Sequence, residues 1–178
     1  LIGCLQKLPD ALRAALTMDW DTAIPRLKDI ADTLVIARGY GFPIAQEAAL
    51  KFKETSAIHA EAFSGAEVLH GPFGLVRKDY PLLLFPQNDA SLEGMLELAK
   101  KIRSLGAETL MSAPQGLLSP SQLAETASIA LPLPESLNPL SDPLMVIQAF
   151  YIMVARLAVK RGYDPDSPDN LKKVTKTT

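Results

Sequence analysis

The sequence predicts an open, doubly wound α/β fold, with three αβα layers around a mostly parallel central sheet. Three observations carry this. Short strand-like runs recur at Thr33–Ala37, Leu82–Phe85, Glu108–Met111 and Ser128–Leu131; the first, TLVIA, is the near-continuous apolar pattern of a strand buried on both faces. Amphipathic helical stretches separate the runs, as parallel strands require of their crossovers. The 178 residues, 48% hydrophobic and 21% charged, suffice for one compact domain and exclude a disordered chain.

Taken in order, Pro9–Met18 and Asp21–Ala31 read as short helices, with Leu12, Leu16, Ile24, Leu27 and Ile30 at helical spacing. They form a lead-in over residues 1–32. The strand Thr33–Ala37 opens the domain proper, residues 33–163, and is followed by the turn RGYGFP, Arg38–Pro43. Pro43 suits a helix start because its missing N–H costs nothing there, so a helix is expected over Ile44–Ile58. A further helix, Ala90–Leu105, ends at Gly106, and a long final helix, Leu140–Arg161, stops at Gly162. The remaining tail, residues 164–178, is polar and has no core of its own. In such folds ligands bind at the carboxyl ends of the strands.

Eighteen basic against twenty acidic residues leave a net charge of -2, so no electrostatic footprint for nucleic acid or an anionic membrane is expected. The apolar stretch Leu144–Val159 is interrupted by Gln148 and Arg156, and no membrane span is expected from it. A single cysteine, Cys4, forms neither an internal disulfide nor a thiolate cluster, which fits a reducing, cytoplasmic setting. The opening on Leu1 reads like the middle of a longer chain.

The chemistry concentrates on the first long helix. Glu47, Lys51 and Glu54 are spaced by four and three, on one stripe, while Ala45, Ala48, Ala49 and Phe52 occupy a largely separate arc suited to the sheet. One reading is a solvated face with an ordinary Glu–Lys pair. The other makes one carboxylate a general base tuned by the ammonium and by partial burial. His59, Glu61, Glu67 and His70 cluster just downstream, at spacings that match no standard zinc motif. His70, before Gly71 and Pro72, stands where the backbone must turn. The Arg38–Pro43 turn lacks the third glycine of a dinucleotide fingerprint and a Walker lysine. Serines in Ser112–Gln122 are candidates for phosphate contact, with a plain surface loop the commoner reading.

The segment ARGYGFPIAQEAALKFKETSAIHAEAFSGAEVLHGP, residues 37–72, resembles the second SIS domain of tandem proteins in the sugar isomerase (SIS) domain family, whose fold is flavodoxin-like and doubly wound. That family includes the isomerase half of glucosamine-6-phosphate synthase and SIS-type amino-sugar-phosphate deaminases and isomerases. The resemblance rests on E-x-A-L-K-x-K-E, then IHAE, then E-x-x-HGP, and the tail is similar to the family's terminal P-x-x-L-K-K-V-T.

The resemblance implies a phosphosugar aldose–ketose isomerase or amino-sugar-6-phosphate deaminase. Such enzymes move a proton between C1 and C2 of an open-chain hexose or hexosamine 6-phosphate. Residue by residue it assigns Glu54 as the base, with Glu47 and Lys51 in support and Arg38 and Gly39 in the substrate-binding set. His70 becomes the acid and base for ring opening and reaches a neighbouring subunit's site. Lys173 closes over the sugar, with Lys172 a near-equal candidate. A homodimer with shared sites is implied, with no metal or organic cofactor. Because Lys51 must not permanently neutralise the base, Glu54 rather than Glu47 is expected to face the sugar. Ala66-Glu67-Val68-Leu69 before HGP departs from the synthase pattern Gly-Glu-Leu-Lys and is closer to the deaminase and isomerase branch. The synthase half and a non-catalytic phosphosugar-sensing module remain alternatives. The family's phosphate cradle belongs to the first SIS domain, so this chain alone is expected to be inactive or nearly so.

Overall fold

The computed structural model describes residues 2–168 and 171. Five parallel strands form one sheet: β1 (Asp32–Ala37), β2 (His59–Ser64), β3 (Pro81–Phe85), β4 (Glu108–Pro114) and β5 (Ile129–Leu133), in spatial order β2-β1-β3-β4-β5. The helices are α1 (Ile2–Ala15), α2 (Ile24–Leu27), α3 (Phe42–Ser56), α4 (Leu92–Ser104), α5 (Pro120–Thr126) and α6 (Asp142–Lys160). The three-layer α/β fold expected from the sequence is therefore present.

Strand alternation builds two cores. Val35, Ala37, Leu83 and Phe85 face α3 and α6, whereas Leu34, Ile36, Leu82 and Leu84 face α4, as a side-chain period of two requires. The lead-in belongs to the first core: Trp20, Ala23 and Leu27 are buried with α3 and α6, and Trp20 Nε1 donates to the Pro132 carbonyl at 2.8 Å. By length and composition α6 resembles a membrane span, but Met145, Phe150, Met153 and Leu157 are buried in this core.

Two elements escape the periodicity argument. β2 sits at the sheet edge, pairing only with β1, and its sequence HAEAFS alternates exposed polar groups with alanines of low strand propensity. α5 arises where a loop was expected. Ser119 accepts from Gln122 N–H while Gln122 Oε1 accepts from Ser119 N–H, a capping box that starts the helix at Pro120.

Candidate active site

The turn after β1 reverses through Gly39 at φ 56°, a left-handed conformation that favours glycine. Pro43 then seats the first turn of α3. Burial of Ala45, Ala48, Ala49 and Phe52 on the sheet leaves Glu47, Lys51 and Glu54 along the flank facing α6. Glu47 meets Tyr151 and, two and a half turns on, Ser56 meets Arg161, so α3 and α6 run parallel. Phe52 and Phe150 meet edge to face at 5.1 Å between them, which fixes the rotation of each helix.

On this flank the Lys51 ammonium lies 2.6 Å from Glu54 Oε2 and 3.5 Å from Glu47 Oε1, all three side chains being about one-third exposed. Tyr151 Oη donates to Glu47 Oε1 at 2.9 Å. The hydrogen bond to Glu54, opposed by burial and assisted by the charge of Glu47, holds the Lys51 ammonium above its ordinary range. Burial, then the bond to Glu47, pushes the Tyr151 phenol up. The sequence led to the expectation that the base Glu54 would be kept from neutralisation by Lys51; instead the ammonium bridges both carboxylates and lies nearer Glu54, at 2.6 Å against 3.5 Å to Glu47.

Glu54 opens into a cleft of about 530 Å3 lined also by Lys53, Thr55, Tyr163, Asp164 and Ser167. The cleft lies between the end of α3 and the chain leaving α6. Arg161 ties this corner together: its guanidinium donates to the carbonyls of Ser56 at 2.7 Å and Ile30 at 3.0 Å, and also to Lys28. Because Ala57 and Ile58 lead directly into β2, whose His59 pairs with Asp32 at the start of β1, the cleft stands at the amino edge of the sheet. The expectation of a site at the carboxyl edge does not hold for Glu54.

Arg38 and Gly39 lie at that other edge, beyond Phe42, which is itself about 18 Å from Glu54 along α3 at 1.5 Å per residue, and the structure does not bring them to the Glu47–Lys51–Glu54 group. There, between β1 and β3, the crevice is occupied from within: Gln87 is 2% exposed, and a Cβ on Gly41 would meet its Nε2 at 2.9 Å. Asp89 accepts from Ser91 and approaches Gly39.

His70 is exposed on the loop after β2 and does not line the Glu54 cleft. His59 and Glu61 share a different cleft with Asp32, Arg77 and Tyr80. Among the described residues no three His, Cys, Asp or Glu side chains form a metal-holding group. Ser112 is fully buried in β4 and Ser119 is engaged in the α5 cap, so neither is free for phosphate. Lys172 and Lys173 lie outside the described residues. Tyr151 escaped the sequence reading; it is 104 positions from Glu47, and its only signal was a polar-tipped aromatic on the flank of the final helix.

Compared with known proteins, residues 26–160 match the family model described as the SIS domain. The chain is 35% identical over 176 residues to a glutamine–fructose-6-phosphate aminotransferase (isomerizing) from Aeropyrum pernix, covering 97% of this chain and 28% of that protein. It thus spans under a third of the length of such curated relatives. The C-terminal domain of a glucosamine-fructose-6-phosphate aminotransferase from Francisella tularensis superposes with a TM-score of 0.82 at 29% identity, over 92% of this chain and 45% of that one. A protein named as a candidate phosphosugar isomerase from Silicibacter pomeroyi gives 0.77 at 35% identity, over 93% and 48%. With a glucosamine-6-phosphate deaminase from Thermotoga maritima, at 21% identity and a TM-score of 0.64 over 96% and 47%, the likeness is one of fold.

Proposed function

The chain belongs to the SIS domain family, and on that premise we propose that it is the C-terminal SIS domain of an enzyme acting on an open-chain hexose or hexosamine 6-phosphate. The reaction is proton transfer between C1 and C2, in a phosphosugar isomerase or an amino-sugar-6-phosphate deaminase. The observation that carries this reading is the Glu54 carboxylate, about one-third exposed and lining the cleft between the end of α3 and the chain leaving α6.

Aldose–ketose interconversion needs a carboxylate beside a carbon acidified by its carbonyl, and a donor for the oxygen that becomes an enediolate. In this proposal Glu54 removes the proton from one carbon and returns it to the next. Lys51 offsets the charge that passes through the carboxylate. His70, exposed and away from its own chain's cleft, serves ring opening in the site of a second copy, which makes a homodimer the working unit. By the family resemblance, the phosphate is held by a first SIS domain outside this chain, which alone is then inactive or nearly so.

A second reading, the isomerase half of a glutamine-dependent synthase, is favoured by the 35% identity to an aminotransferase over nearly the whole chain. An upstream glutaminase domain in the complete protein is its mark. A sensing module without catalysis would need phosphate contacts but no enolising base. The test is to incubate the full-length protein with fructose 6-phosphate and with glucosamine 6-phosphate, following isomerisation and ammonia separately. Solvent hydrogen entering C1 or C2 supports the proposal; binding of either sugar with no such exchange overturns it.

A further inference from the structure

On the reading that Glu54 is the base, we propose that Tyr151 is a positioning residue of the site, whose hydroxyl holds Glu47 and so leaves the Lys51 ammonium to Glu54. The starting point is an inversion. A glutamate four residues before a lysine is the favoured helical ion pair, in better register than the reverse order. Here that pair, Glu47–Lys51, is the long one at 3.5 Å, while Lys51–Glu54 closes to 2.6 Å. What distinguishes the two glutamates is the phenol, which donates to Glu47 Oε1 at 2.9 Å.

Tyr151 is well placed to impose this. Its neighbour Phe150 is fully buried against Phe52, so α6 cannot rotate without breaking a core contact. Burial and the Glu47 bond both favour the neutral phenol, which stays a donor across the working pH range. The charged and titratable groups around Glu54 are Glu47, Lys51 and Lys53 on α3, Tyr151 on α6, and Tyr163 and Asp164 beyond it. Of these, Lys51 lies in direct contact with Glu54. Without the hydroxyl, Glu47 is free to draw its i,i+4 lysine closer than the present 3.5 Å, away from Glu54.

The test uses the full-length protein and exchange of solvent hydrogen into fructose 6-phosphate, with kcat and KM measured across pH. Tyr151 is 40% exposed, so Tyr151→Phe removes one hydroxyl without opening a core cavity. The expected result is roughly a threefold loss of kcat with KM within about twofold. Tyr151→Gln, which keeps a donor, restores kcat toward the wild-type value. In a Glu47→Gln background, Tyr151→Phe adds nothing, because the partner it acts through is gone. A Tyr151→Phe profile superimposed on the wild type overturns the inference. Glu54→Gln separates the two levels: if that variant is inactive while Tyr151→Phe is unchanged, only the positioning role fails; if it turns over normally, the assignment of the base itself fails.

Discussion

Lys51 Nζ and Glu54 Oε2 stand 2.6 Å apart one turn from the end of α3, a charge-assisted contact at the mouth of the cleft. If this carboxylate shuttles the proton, Glu54→Gln keeps shape and hydrogen bonding but not basicity. Hydrogen exchange at C1 and C2 should fall by about 10²–10⁴-fold, with sugar affinity within a few-fold. Isotope exchange on the intact enzyme checks this, and an undiminished rate refutes the role.

The same contact makes a statement about stability. The Lys51 ammonium is held above its ordinary pKa of 10.5 in the folded chain, so its contribution is complete below that pH and is lost as pH climbs through the folded value. In Lys51→Met the stability gap to wild type, about 0.5–1 kcal/mol for a partly screened pair, should be constant between pH 7 and 10 and close above it. Urea unfolding as a function of pH measures the gap; one that widens above pH 10.5 contradicts the assignment.

If His70 completes a neighbour's site, two inactive variants should rescue one another. Mixing and reassembling Glu54→Gln with His70→Ala produces one intact site in each mixed dimer, hence about a quarter of wild-type activity from random pairing. Persistent inactivity of the mixture, with subunit exchange verified by mass, shows that both residues serve one chain.

Trp20 tests whether the lead-in is an appendage or part of the body. It is 1% exposed, lies 6.3 Å from the Phe85 ring and donates to Pro132. Trp20→Ala should cost about 3–5 kcal/mol in denaturant unfolding of the whole domain, in a single transition. A loss under 1 kcal/mol would mean that these residues are dispensable to the core.

The sequence revealed what repeats and little of what converges. Runs such as Leu34–Ala37 and Leu82–Phe85 announced buried strands because both faces are apolar, and the arc Ala45–Phe52 announced a helix by its period. β2 stayed hidden because an edge strand needs no continuous hydrophobicity, and α5 because its cap, Ser119 with Gln122, resembled a polar loop. The Glu47, Lys51 and Glu54 group was legible through local spacing along one helix. Tyr151 was not, since contact across 104 residues leaves no local trace, and the distance between Arg38 and Glu54 follows from the direction in which α3 runs back along the sheet.

The parallel course of α3 and α6 has an electrostatic outcome. Both helices bring their carbonyl poles to the same corner, and aligned peptide dipoles concentrate partial negative charge there. If the ligand is the phosphorylated sugar proposed above, this polarity turns its dianionic head outward, while the uncharged aldehyde or ketone end travels inward toward Glu54.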